Sequence, residues 1–321
     1  MLLPICLTGL LTQWEPLALG ICLVAISLVF YFRWNFYTLL LYCAGRGRGC
    51  SALLAFRIPN FERITRKECL RLESSARLLE KDPQKLELWE TLAGKFWIPK
   101  RFTAGDVLFE MLAERALDCY GGQANGVRQG DIVLDCGANV GIFVREALDA
   151  GAKLVVASEP SPENLECLNR NFAEEISAGR VVVSPKGLWH EETVLSIGIS
   201  DASAAGDSFV RAGDSCFHEG PKIPVTTIDS LVASLKLDKV DFVKMDIEGA
   251  ERNALQGAQD TVKRFRPRMA ISAYHLPDDP AVLRGIVSGF CPDMHCTVHL
   301  GRLAYGGLLH SRVAPLIFFF N

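Results

Sequence analysis

The chain has 321 residues, 49% of them apolar, and a formal net charge of −3. That length holds one large α/β domain and an appendage, and the apolar share is enough for a sizeable core. Without a long basic tract the composition argues against nucleic acid as the main partner, because phosphate binding needs clustered Lys and Arg.

The first 43 residues carry only two charges, Glu15 and Arg33. Leu17 to Phe32 is free of charge and proline, and Tyr31, Phe32, Trp34, Phe36 and Tyr37 flank its end. A bilayer core takes about 20 apolar residues as helix, and aromatics favour its interface. The expectation is a membrane-associated helix; an apolar helix packed on the soluble domain or a partner is the alternative. No basic stretch precedes the run, which argues against a cleaved signal peptide. Arg33, Arg46, Arg48 and Arg57 follow it, placing the C-terminal bulk in the cytoplasm by the positive-inside rule. The eleven cysteines include no CxxC pair. They read as free thiols in a reducing compartment, since Cys291 and Cys296 lack a second ligand pair for zinc.

Residues 44–60 read as a Gly- and Arg-rich linker, and residues 61–95 as one or two helices from the spacing of their leucines. A short β segment and turn follow over 96–106. Asp106 is a candidate N-cap for a helix running to residue 120. Three regions result: an anchor-like segment (1–45), a helical extension (46–125) and a catalytic domain (126–321). From residue 131 strand and helix patterns alternate, with an irregular β-rich insertion at 191–225. Such alternation predicts a mostly parallel sheet covered on both faces, closed by a final antiparallel pair.

"DIVLDCGANVGIF" (131–143) is a buried strand breaking into a glycine-punctuated turn. The plain reading is a tight corner between strand and helix. The functional reading is a cofactor cradle: Gly137 and Gly141 clear room for a ligand, Asn139 tolerates unusual dihedrals, and the next helix aims its first amides there. A dinucleotide loop would show G-x-G-x-x-G. Here an acid, Asp135, precedes the turn; it suits an ammonium and would repel a phosphate. S-adenosylmethionine carries such an ammonium. Glu159 ends the next strand, where a carboxylate can accept ribose hydroxyls.

"VLDCGANVGIF", "SEPSPENLECLNRNF", "VTTIDSL", "VDFVKMDIEGAE" and "RPRMAISAYH" together resemble the FkbM-type S-adenosylmethionine-dependent methyltransferases. The resemblance covers roughly residues 95–320. It implies a Rossmann-like seven-stranded sheet with one antiparallel edge strand, and methyl transfer, typically to oxygen. It also implies that Asp135, Gly137, Asn139 and Gly141 line the methionine and ribose part. Glu159 would hold the ribose, and Lys186, Gly187 and Leu188 would edge the adenine. The fifth strand departs from the family pattern, with Ser272 and Ala273 where an acid is frequent.

"VKMDIEGAE" (243–251) is the second informative stretch. Asp246 and Glu248 at a strand end suit the orientation or deprotonation of an acceptor hydroxyl, each carboxylate raising the other's pKa. His275 is a candidate assistant, or a histidine hydrogen-bonded at a strand end. Glu251 reads as a complement to a helix N-terminus. The two acids can also bind Mg2+, though no spacing demands a metal. The expected function is O-methylation of a sugar, glycan, lipid or secondary metabolite. A non-catalytic tethered member of the fold and an NAD-dependent oxidoreductase are the rivals.

Overall fold

The computed structural model describes residues 5–47, 49–83, 85–103, 107–200, 206–210, 217–298, 301–304 and 312–321. Helix α1 (Ile5–Leu41) runs through a π turn into α2 (Ala52–Ser75), and the two helices pack together. Ser51 caps α2, its hydroxyl accepting from the amide of Leu54 at 3.2 Å, so the expected linker is helical over its second half. Pro59 lies inside α2 and breaks its hydrogen-bond ladder. Next to that break the buried Asn35 of α1 donates to the Phe56 carbonyl at 2.6 Å. Among the described residues no single helix is long and apolar enough to cross a membrane. Gly20–Val29 and Phe32–Arg46, bent by 49°, meet that length and composition only together.

The expected helix ends at Ser75. Three antiparallel strands follow, β1 (Arg77–Lys81), β2 (Leu86–Thr91) and β3 (Gly94–Pro99). Leu86 and Leu88 are two apart, a strand period, whereas Leu88 and Leu92, four apart, suit a helix, and neighbouring turns decide between them. Asp82 accepts the Leu86 amide at 3.0 Å, and Gly94 at φ +119° closes the hairpin. Short α3 (Lys100–Thr103) and α4 (Val107–Ala116) come next; the proposed cap Asp106 lies outside the described residues. After α5 (Gly122–Asn125) the extension shares one core with the following domain. Phe96, Ile98, Phe102, Leu108 and Leu112 cluster with Val140, Ile142 and Cys167.

The domain alternates β4 (Ile132–Cys136), α6 (Ile142–Asp149), β5 (Leu154–Ser158), α7 (Pro162–Asn171), α8 (Ala173–Ser177) and β6 (Val181–Ser184). The insertion folds as β7 (Gly187–Leu188), β8 (Thr193–Ser200) and β9 (Phe217–Thr226), a separate small sheet. Then come α9 (Ile228–Ser234), β10 (Phe242–Met245), α10 (Glu251–Gln256), α11 (Gln259–Phe265), β11 (Arg268–Ser272), α12 (Asp279–Phe290) and β12 (Cys296–Val298). The pair β13 (Gly301–Ala304) and β14 (Arg312–Pro315) precedes β15 (Ile317–Phe320).

The seven-stranded sheet has the order β12-β15-β11-β10-β4-β5-β6. β15 is antiparallel to both neighbours. It sits one place in from the edge rather than outermost. Alternate residues of β4 enter different cores: Leu134 and Cys136 join the helical layer of α9–α12, Val133 that of α6 and α7. The chain leaves β4 towards β5 and β6, then returns on the other side as β10. That reversal opens a crevice beyond the carboxyl ends of β4 and β10.

Candidate active site

The turn after β4 is built for close approach, but not only to a ligand. Gly137 has φ +83°, and a Cβ there would lie 2.0 Å from the Asp246 carbonyl oxygen. Gly141, at φ +94°, would put its Cβ 2.1 Å from the Phe172 ring. Both glycines therefore let protein meet protein: one joins the β4 and β10 loops, the other seats α6. Gly137 borders the crevice, whereas Gly141 is absent from its lining. Asn139 adopts φ +53° and its Oδ1 accepts the Val140 amide at 2.7 Å.

Asp135 does not face the crevice. Its side chain is fully buried, and Lys244 Nζ, in register on β10, lies 3.2 Å from Oδ1. That ammonium donates instead to the Gly137 carbonyl at 2.6 Å, leaving both Asp135 oxygens without an aligned donor. Burial pushes the Asp135 pKa up, and Lys244 only partly offsets this. The expected contact between Asp135 and a ligand ammonium is thus replaced by an internal one. Strand alternation explains it: Asp135 and Lys244 occupy paired positions, and each is the other's nearest opposite charge.

Glu159 does line the crevice. Its Oε2 accepts the Asn139 amide at 2.8 Å, and its Oε1 accepts the Ser161 amide at 2.9 Å and Asn164 Nδ2 at 3.3 Å. An ionised carboxylate offers about four acceptor positions. Three are taken by the protein, which leaves room for one ribose hydroxyl rather than two. Burial pushes the Glu159 pKa up to about 7, against the pull of those three donors.

Gly187 and Leu188 form the next wall, and Phe209 of the insertion lies over Gly187, where a Cβ would come within 2.4 Å of its ring. The neighbours of Phe209 tie this strap down on both sides. Asp207 pairs with Arg101 of the extension at 2.7 Å and accepts the Ser161 hydroxyl at 3.0 Å. The Ser208 hydroxyl donates to the Glu248 carbonyl at 2.7 Å. No local pattern in the sequence points to this strap; its polar contacts reach residues 40 to 106 positions away.

Across the crevice, Asp246, Glu248 and His275 come together as the sequence suggests, joined by two residues it did not single out for the site. His275 Nε2 lies 3.5 Å from Asp246 Oδ1 and 3.5 Å from Glu248 Oε1, and its Nδ1 lies 3.0 Å from Glu251 Oε1. The Tyr120 hydroxyl donates to Asp246 Oδ2 at 2.8 Å. Glu251 also accepts the Ile247 amide at 2.8 Å, so it serves the helix start and the cluster together. Glu248 takes a left-handed φ of +55°, rare for a side-chain-bearing residue, and the residue borders the crevice.

The electrostatics differ from the expectation for paired carboxylates. Burial pushes the Asp246 pKa up, but His275 and Lys244 outweigh it and hold the group below the usual range. Burial likewise pushes His275 down, and Glu251 and Glu248 outweigh that, holding its pKa well above the ordinary value. Asp246 therefore stays ionised, accepting hydrogen bonds but acting as a weak base.

The crevice between these two ends spans about 520 Å³, part of it open solvent. Residues 135–290 match the profile of the family described as the methyltransferase FkbM domain. The chain carries an FkbM methyltransferase domain. A relative from Streptomyces tacrolimicus, 31-O-demethyl-FK506 methyltransferase FkbM, is 26% identical over 216 residues, covering 57% of this chain and 82% of its own. The crystal structure of a methyltransferase FkbM from Methylobacillus flagellatus KT overlays with TM-score 0.45 at 22% identity, covering 68% of this chain and 55% of that one. The chain thus spans about half the length of that structure. An rRNA methylase from Streptococcus thermophilus overlays with TM-score 0.34 at 13% identity, covering 61% of this chain and 88% of that one.

FkbM methyltransferases use S-adenosylmethionine, and the FkbM domain here has a fitting cradle. Glu159 has an acceptor position left, and Gly137, Asn139, Gly187 and Leu188 line the same crevice as Ile197 and Phe209. Asp135 and Gly141 are the expected contacts that lie away from the crevice.

Proposed function

We propose that the FkbM domain transfers a methyl group from S-adenosylmethionine to a hydroxyl oxygen on a small acceptor: a sugar, glycan, lipid or secondary metabolite. One observation carries the reading. A single crevice is lined at one end by Glu159, Gly187 and Leu188 and at the other by Asp246 and Glu248, with Gly137 between them. When bound, S-adenosylmethionine supplies an electrophilic methyl on sulfur, open to in-line attack by an oxygen lone pair. Asn139, Glu159, Gly187 and Leu188 would hold its nucleoside. Asp246, kept ionised by its neighbours, would orient the acceptor O–H, and Glu248 would take the proton. His275 bridges both carboxylates and fixes their positions. The Streptomyces tacrolimicus relative, named for an O-demethyl acceptor, supports oxygen as the methylated atom.

We also propose that the N-terminal helices hold the domain at a membrane, with the domain on the cytoplasmic side. Ile21, Leu23, Val24, Ile26, Leu28 and Val29 are each more than half exposed. A helix apolar all round needs lipid or a partner to cover it. Transfer of labelled methyl into envelope and soluble extracts tests the acceptor class. Label in base-stable ethers of small hydroxyl compounds is expected; label confined to RNA or protein contradicts the reading. Flotation of the full chain with liposomes tests the anchor, and a chain that stays at the bottom of the gradient contradicts it.

A further inference from the structure

We propose that Asp246, Glu251 and His275 form a divalent-cation site, with mixed carboxylate and imidazole donors of the kind that takes Mn2+. The role of the ion rests on the methyl-transfer reading above, but the existence of the site does not.

Four observations converge. First, each of the three residues offers a ligand atom, and these atoms lie within 4.8 Å of one another. Octahedral metal–ligand bonds of about 2.1 Å separate neighbouring ligands by about 3 Å and opposite ones by about 4.2 Å. Small side-chain rotations close that difference.

Second, unsatisfied buried atoms gather there. Among the described residues nine buried side-chain nitrogen or oxygen atoms lack a well-aligned hydrogen bond, and five belong to this cluster: Asp246 Oδ1, Glu251 Oε2, Ser272 Oγ, and both ring nitrogens of His275, which meet the carboxylates only as ion pairs. Buried polar atoms nearly always have a partner, so such a concentration points to a water or an ion.

Third, the two carboxylates share one pattern. Asp246 has Oδ2 held by Tyr120 and Oδ1 turned towards His275; Glu251 has Oε1 held by the Ile247 amide and Oε2 without a hydrogen bond. Metal-ligating carboxylates are oriented this way, by hydrogen bonds on the oxygen that does not ligate.

Fourth, the charges do not balance. Three carboxylates, Asp246, Glu248 and Glu251, surround one imidazole. The nearby Lys244 already faces Asp135. Even a protonated His275 leaves negative charge in excess, and Glu251 is fully buried. Uncompensated buried charge is costly, and a divalent ion removes most of it. At this end of the crevice the ion would stabilise negative charge developing on an acceptor oxygen.

The test is an electron paramagnetic resonance titration of the full chain with Mn2+. One Mn2+ per chain is expected, with affinity falling at least about tenfold in Glu251→Gln and unchanged in a control, Glu166→Gln, on the exposed face of α7. Echo-modulation spectra of the bound Mn2+ in the unaltered chain should show nitrogen coupling from His275; this readout stands even where Glu251→Gln does not fold. No stoichiometric binding, binding unchanged by Glu251→Gln, or bound Mn2+ without nitrogen coupling would each overturn the site. Calorimetry with S-adenosylhomocysteine on the same preparation separates the two claims. Homocysteine-nucleoside binding without Mn2+ removes the ion alone, and Mn2+ binding without it leaves the ion and removes the methyl-transfer reading.

Discussion

The two ends of the crevice are finished to different degrees. At the Glu159 end the polar groups are mostly satisfied by the protein: three donors reach one carboxylate, and the turn glycines are fixed by contacts with Asp246 and Phe172. At the Asp246 end several buried atoms are left without partners. A preformed cradle suits a cofactor that is the same in every turnover. Unsatisfied groups suit a place where charge and protons move, because their partners arrive with the reaction. The structure thus separates holding from chemistry, and substitutions at the two ends should fail in different ways.

The largest effect is expected from Glu248→Gln, which removes the proposed proton acceptor. Methyl transfer should fall by about 10²- to 10⁴-fold, with affinity for S-adenosylhomocysteine nearly unchanged. Steady-state kinetics beside calorimetry checks this, and a loss confined to binding would erase the distinction between the ends. Gly137→Ala attacks the seam that joins them. A Cβ 2.0 Å from the Asp246 carbonyl cannot be accommodated without moving one loop. A loss of roughly 2–4 kcal/mol of stability is expected, read by denaturant melts.

A smaller effect concerns pH. Glu159 ionises near 7 because of burial, and a ribose hydroxyl would donate to its ionised form. Ligand binding should then weaken as pH falls below about 7, approaching tenfold per unit, and should release protons. Calorimetry in buffers of different ionisation heat measures both; pH-independent binding would deny Glu159 its role. The sign for stability is opposite. A carboxyl whose folded pKa lies above its unfolded value of 4.5 contributes stability below that value and loses it as pH rises through about 7. The smallest effect is expected from Arg101→Ala. It frees Asp207 and loosens the strap, so binding should weaken several-fold while the chemical step is retained, as single-turnover kinetics can show.

Much of this was legible in the sequence because it is local. The β4 turn, Glu159 at the next strand end and the Asp246–Glu248 run are each defined by neighbours in the chain, and the structure puts all three around one crevice. The failures are non-local. Lys244 captures Asp135 across a strand pair, and nothing near either residue announces it. Tyr120 reaches Asp246 from 126 positions upstream. Phe209 enters from an insertion whose composition is uninformative. The strands at 77–91 were legible in part: Leu86 and Leu88 are two apart and Asp82-Pro83 is a turn signal, but the helical spacing of Leu88 and Leu92, four apart, points the other way.

The most direct measurement is calorimetry of S-adenosylhomocysteine binding to the unaltered chain, Glu159→Gln and Asp246→Asn side by side. The expected result is binding weakened about 10- to 100-fold by Glu159→Gln, the loss of a hydrogen bond to a charged group, and held within a few-fold by Asp246→Asn. Binding that is indifferent to Glu159 and abolished at Asp246 would contradict the assignment of the two ends.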